Sequence, residues 1–401
     1  MPPTDRTPLL PNGSNGHPPP SVAQKFISVL RAEGEPGWLQ SYKFFFFGSW
    51  LNLLLLFVPL SVVSHQLGWD AALRFGFSFM AIMPLAKLLG EATDQMSLTL
   101  GQTLSGLLNA SFGNAVEIIV GIAALLQGEI RIVQTSMLGS ILSNLLLVLG
   151  SSFLAGGYYY SESNFQITAA QTSASLMTLA CITLVIPAAY HSAQEHSKTD
   201  SLRATDGLLT LSRGTALLLL AVYVAYLFFQ LKTHAYLFIA EDEGEGEEQK
   251  MSVVAAGSAL LLVTVITSFC ADYLVASIDE TAQRYHVPKP FIGLILLPIV
   301  ANAAEHVTSV WMAMKGKMEL TIGVCVGSSI QIAAFVVPLL VIVGWITKHE
   351  MTLFFADFET IVLFVSVMLV NLLIMDGKSN YMEGLMLIML YLVIALAFWV
   401  S

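Results

Sequence analysis

Two carboxylates stand in apolar surroundings that should disfavour them. Glu117 closes the stretch Gly113-Asn114-Ala115-Val116-Glu117, and Glu305 closes Ala301-Asn302-Ala303-Ala304-Glu305. In both, the acid follows an asparagine by three positions, so on a helix the amide and the carboxylate share a face. An acid deep in hydrocarbon is costly and marks an ion or proton pathway by default. Two carboxylates balance one divalent cation, and a hard cation such as Ca2+ takes carboxylate and carbonyl oxygens. Without the cation, two neighbouring buried acids cannot both stay ionised, so at least one binds a proton. One pair can therefore hold a cation or protons, which is what exchange requires. The alternative for each Glu alone is a neutral acid that hydrogen-bonds a neighbouring helix.

Other side chains could support such a site. Gly113, Pro298, Ala115, Ala303 and Ala304 allow the backbone to kink and free carbonyls toward an ion, or they allow tight helix packing. Asn114 and Asn302 either ligate or orient the glutamates. His306 relays protons or tunes Glu305, or is a satisfied core histidine. Ser140, Ser143, Asn144, Ser328 and Gln331, on the helices that follow, line a proton path or hydrogen-bond between helices. Asp94, at the end of one span, and Asp272, inside another, read as entrance or gating groups. Glu91, Asp279 and Glu280 read as surface acids. The run Glu241-Asp242-Glu243-Gly244-Glu245-Gly246-Glu247-Glu248 attracts or senses cations, or is a solvated linker. It lacks the alternating ligands of an EF-hand loop.

These residues recur because the chain repeats itself. A shift of 188 residues carries 114 onto 302 and 117 onto 305; it also superimposes Gly128 on Gly316, Gly139 on Gly327 and Ser140 on Ser328. Six of the 27 positions from 114 to 140 are identical under that shift, and none of the six is Leu, Val or Ile. Coincidence between apolar helices would favour those three, so the pattern reads as an internal duplication.

The elements carrying the repeats are transmembrane helices. The chain has 401 residues, 55% hydrophobic and 11% charged, with mean hydropathy +0.72. Soluble proteins carry about 25% charged residues, so the composition indicates an all-α polytopic membrane protein. At about 20 apolar residues per crossing, eleven spans are expected. They are near 44–64, 71–90, 102–126, 130–155, 166–190, 208–232, 252–277, 290–314, 320–346, 352–374 and 382–400. The expected organisation is a tail over 1–40, a first helix over 41–65, a five-helix repeat over 66–235, the acidic loop over 236–251 and a second repeat over 252–401. Five is odd, so the second repeat starts on the opposite face and the repeats are inverted. That brings Glu117 and Glu305 together near the midplane.

The net charge of −10 comes in large part from the acidic loop and gives no sign of a nucleic-acid partner. Cys181, Cys270 and Cys325 lie far apart in apolar spans and read as small apolar residues rather than a disulfide frame. The tail, rich in Pro and Gly, reads as disordered. It holds Asp5-Arg6-Thr7-Pro8-Leu9-Leu10, which resembles an acidic dileucine sorting signal. Basic residues divide almost evenly between the two faces. The four in the tail and its approach to the first span (Arg6, Lys25, Arg31, Lys43) favour a cytosolic N-terminus. The acidic loop is then cytosolic and the C-terminus lumenal. No nucleophile or resident metal set suggests an enzyme, and no selectivity-filter pattern suggests a channel.

The two Asn-x-x-Glu pentads, with Gly139-Ser140, Ser143-Asn144, Gly327-Ser328-Ser329 and Gln331 after them, resemble the paired repeats of the calcium/proton exchangers. These belong to the wider calcium/cation antiporter superfamily, and the likeness is to the fungal vacuolar type. It runs from about residue 40 to the end. The sodium/calcium branch usually carries Asp at the place of Glu305 and lacks the following His, so the resemblance favours protons as counter-ion. It implies an antiporter of the vacuolar membrane that loads Ca2+ (or Mn2+) as protons leave, with no cofactor. Glu117 and Glu305 would be the central ligands. Asp94 would match an acid at the cytosolic entrance, where the family often has Glu.

Overall fold

The computed structural model describes residues 35–100, 102–196, 201–237 and 248–400. The dileucine-like stretch and five of the acidic-loop residues (Glu241, Asp242, Glu243, Glu245 and Glu247) lie outside them; Glu248 is described and exposed. The helices are α1 (Trp38–Phe47), α2 (Phe57–Gln66), α3 (Ala71–Leu100), α4 (Gln102–Phe112), α5 (Ala115–Leu126), α6 (Ile130–Tyr159) and α7 (Ile167–His196). There follow α8 (Ser201–Phe228), α9 (Val253–Tyr285), α10 (Lys289–Ala301), α11 (Ala303–Met314), α12 (Met318–Thr347), α13 (Asp357–Leu373) and α14 (Tyr381–Val400).

Among the described residues, seven helices are long and apolar enough to cross a bilayer, and ten spans result if each of three bent pairs counts as one. Helix α13, at 17 residues, is at the lower limit of about 17 for a crossing and occupies the place expected for the tenth of eleven spans. The bent pairs are α4–α5 (42°), α10–α11 (57°) and the first span (86°). The sequence places the first span near 44–64, in a first helix over 41–65. Instead α1 starts at Trp38 and stops at Gly48, and extended Ser49 caps the 3-10 turn Trp50–Leu56 by accepting from Leu51 N. A glycine followed by a capping serine ends one helix and starts another, which apolarity alone does not reveal.

Burial separates centre from periphery. In α6, 83% of the most apolar window is buried, against 22% for the span Asp206–Thr233. Outward-facing Leu261 and Val265 on α9 stay exposed, as lipid-facing residues do. The centre comprises α4–α5 with α6, and α10–α11 with α12. Both α5–α6 and α11–α12 turn on a left-handed glycine, Gly128 (φ 79°) and Gly316 (φ 77°), a conformation other residues rarely adopt. Both following helices carry a π turn at the matching place, Ser143–Val148 and Ile332–Val336.

Packing gives the relative directions. Gly139 of α6 meets Leu294 and Pro298 of α10, while Gly293 meets Thr135 and Ile132. Positions rise together on both helices, so α10 runs parallel to α6. The tight turn at Gly128 makes α5 antiparallel to α6. The broken span α10–α11 thus crosses opposite to its repeat mate α4–α5, as inverted repeats require.

A two-residue antiparallel ladder, Ser163–Asn164 (β1) with Lys378–Ser379 (β2), ties the α6–α7 connection to the α13–α14 connection. Lys378 also pairs with Glu162 at 2.9 Å, which raises the lysine pKa.

Candidate functional site

Both broken spans break at the asparagine of the repeat. Asn114 (φ −110°, ψ 38°) and Asn302 (φ −87°, ψ 10°) stand outside regular helical geometry, and each precedes a new helix. Glu117 and Glu305 lie in the first turn of those helices. The chain reaches this conformation where small residues cluster, because Gly113, Ala115 and Ala303 allow the reorientation without a clash.

The two carboxylates line one cavity of about 570 Å3. Gly113, Ala115, Ala301 and Ala304 line it as well, together with Ser328 and Gln331. Asn114 and Asn302 are buried behind it. A hydrogen-bonded chain joins the repeats. Asn114 Nδ2 donates to Gln331 Oε1 at 2.7 Å, and Ser328 Oγ donates to Asn114 Oδ1 at 2.7 Å. Asn144 Nδ2 donates to Glu305 Oε2 at 2.8 Å and to Ser328 Oγ at 3.0 Å. Asn302 Nδ2 donates to the Ser140 carbonyl at 3.2 Å.

Two oxygens at this centre, Asn144 Oδ1 and Asn302 Oδ1, are buried without a hydrogen-bond partner. Such groups are rare in folded proteins. Oxygens of this kind beside two carboxylates suit a hard divalent cation, whose ligands are carboxylates and carbonyls. Among the described residues no group of three or more His, Cys, Asp or Glu forms a separate metal cluster.

Among the described residues the cavity opens toward one face. Its outer wall includes Asp94, Asn109, Gln166, Ser173, Gln230 and Glu319. On the other side of Glu117, the space among Ser136, Ser140 and Pro298 narrows to about 10 Å3, room for at most about one water. That sealed face carries most of the ion pairs. Arg131 reaches buried Glu359 at 2.6 Å, Arg284 reaches Asp70 at 2.5 Å, Arg74 meets Glu280, and Lys289 meets Asp279 and, at 3.8 Å, Glu129. The Tyr285 hydroxyl, donating to Asp70, and the nearby arginines hold the Asp70 carboxyl below its usual range.

The expected residues therefore divide. Glu117, Glu305, Gly113, Ser328, Gln331 and Asp94 reach the cavity. Ser140 faces the pinched space behind Glu117, Ser143 is buried next to Asn144, and His306 stands half-buried on α11 outside the cavity lining. Asp272 is exposed on α9; its backbone carbonyl accepts from Gln127 near the sealed face, and it does not line the cavity. Asp279 and Glu280, read as solvated, are tied in ion pairs, and Glu91 pairs with Lys87 one turn earlier at 2.6 Å. Glu319, Gln166 and Gln230 escaped sequence reasoning. Glu319 could have been found as the mate of Arg131 under the 188-residue shift.

Comparisons with known proteins identify the family. A family profile described as "Sodium/calcium exchanger protein" matches residues 71–232 and again 256–400. A "Vacuolar calcium ion transporter" from Schizosaccharomyces pombe is 48% identical over 353 residues, covering 88% of this chain and 85% of that protein. A "Ca(2+)/H(+) antiporter" from Aphanothece halophytica is 42% identical over 363 residues, covering 86% and 95%. Among solved structures, that of the Ca2+/H+ antiporter protein YfkE is 33% identical with a TM-score of 0.73, covering 87% of this chain and 98% of that one. This chain, with two inverted repeats that meet at paired glutamates, belongs to the sodium/calcium exchanger family of membrane transporters.

Proposed function

We propose that the protein is an antiporter of the vacuolar membrane that exchanges cytosolic Ca2+ for lumenal H+ by alternating access. The observation that carries this reading is the meeting of Glu117 and Glu305, one from each repeat, in a cavity open to one face. Ca2+ seats between the carboxylates, with the carbonyl oxygens of Asn144 and Asn302 nearby. After release, protons neutralise the pair, and the site returns in that form. The names of the relatives support Ca2+ and H+ as the exchanged ions and the vacuole as the location. The two repeats occupy about 66–235 and 252–401, and the N-terminus and acidic loop face the cytosol. On that orientation the cavity opens to the cytosol, and Asp94 and Glu319 stand at its mouth.

The test is uptake by purified protein in liposomes. Acid-inside vesicles should accumulate Ca2+, and a protonophore should stop the accumulation. Uptake that continued after proton-gradient collapse and followed an imposed Na+ gradient would overturn the reading.

A further inference from the structure

Helix α12 carries Gly323 and Gly327 one turn apart, and a Cβ at either would meet nothing within 4 Å. Glycine inside a helix costs stability relative to alanine, and paired small residues at this spacing normally mark close approach of another membrane helix. Here both face the open cavity. Their repeat mates on α6, Thr135 and Gly139, are covered. A Cβ at 139 would stand 2.6 Å from Pro298 Cγ and closer still to the Leu294 carbonyl oxygen, and Gly293 abuts the Thr135 side chain. The first half of one broken span, α10, is docked on α6 and closes one face. The corresponding half of the other, α4, packs on α3 and on the π turn Phe229–Thr233 instead of α12.

We infer that Gly323 and Gly327 are the surface on which α4 docks when the open face closes, with Ser105, Gly106 and Ala110 landing as Gly293, Leu294 and Pro298 already land on α6. The residues are complementary at one position. Thr135 on α6 receives Gly293, whereas Gly323 on α12 would receive Ser105, so each contact pairs one glycine with one hydroxyl-bearing residue. Backbone shape follows the same division. Docked α10 contains a π turn at Ile292–Leu296, while the matching stretch 104–108 of undocked α4 is regular α-helix. Closing the cavity therefore calls for a π turn to form in α4. In an inverted-repeat carrier the two halves exchange conformations between states, and the sequence holds both closed contacts although one is formed.

The inference rests on the alternating-access reading, and the test separates the two. In the full chain, Gly323→Val and Gly327→Val fill open space in the present state but block docking. Each should unfold in detergent at the wild-type temperature and lose Ca2+ uptake by at least about tenfold in liposomes. Wild-type uptake by both would overturn the inference. The second measurement uses a chain with Cys181, Cys270 and Cys325 changed to Ala. Ser105→Cys with Gly323→Cys should form a disulfide under mild oxidation, and its formation should arrest uptake until reduction. Thr135→Cys with Gly293→Cys, already in contact, serves as the positive control. Crosslinking of the control pair without any crosslinking of 105 to 323 would overturn the docking surface. Crosslinking reads geometry alone, so its success beside a failure of proton-driven uptake would refute the ion assignment and leave the docking intact.

Discussion

Glu117→Gln and Glu305→Gln should each abolish exchange in a protein that still folds. Glutamine keeps the shape of the side chain, but it cannot balance the cation charge or carry an exchangeable proton. A loss of roughly 3 kcal/mol in cation binding corresponds to about 100-fold at about 1.4 kcal/mol per factor of ten, so uptake should fall by about 100-fold or more. Fold stability should hold or rise, because an uncharged side chain is easier to keep in hydrocarbon. Initial Ca2+ uptake rates in liposomes, together with thermal unfolding in detergent, separate lost transport from lost folding. Near-normal uptake by either variant, at unchanged unfolding temperature, would remove that glutamate from the site.

The second large effect is expected at Asn144. Its side chain is fully buried and donates to both Glu305 Oε2 and Ser328 Oγ, and its carbonyl oxygen has no partner. On the proposed reading it orients the glutamate and offers one oxygen to the ion. Asn144→Leu removes the donor and that oxygen at nearly constant volume. A hydrogen bond to a charged group contributes about 1.5–3 kcal/mol. Apparent Ca2+ affinity should therefore weaken roughly tenfold or more, at about 1.4 kcal/mol per factor of ten. Asn114 and Ser328 still hold each other, so the helices should stay assembled. A Ca2+ titration of uptake checks this, and an unchanged half-saturation point would show that Asn144 is only an interhelix contact.

The sequence disclosed those parts of the site whose chemistry is local. An Asn and a Glu three residues apart in an apolar run are visible without a fold. The shift that superimposes Glu117 on Glu305 implies that two halves must meet. Helical crossings follow from apolar length, which is why most of the spans fall where they were expected. What stayed hidden depends on tertiary partners. Asp279 and Glu280 look like free surface acids until Lys289 and Arg74 are seen beside them. Glu319 looks like a charge at a helix start until the cavity is traced to it. The direction of opening was also illegible, because the two repeats carry nearly the same pentad and only their packing differs. The break at Gly48-Ser49 was missed because hydrophobicity continues across it.

The two broken spans have an electrostatic consequence. At each break one helix ends in carbonyls and the next begins in amides, at Gly113–Asn114 and Ala301–Asn302. A helix terminus carries about half an elementary charge, negative at the end and positive at the start. Brought together head to tail, the two partial charges largely cancel beyond a turn. The membrane centre therefore receives no standing backbone charge from either break, and the carboxylates set the sign and size of the local field. When one half-helix docks or undocks, no macrodipole is uncovered in the low-dielectric interior. On the proposed exchange, the frame would change shape without a fixed charge of its own to carry through the bilayer, leaving the bound ion or protons as the charge that distinguishes one passage from the next.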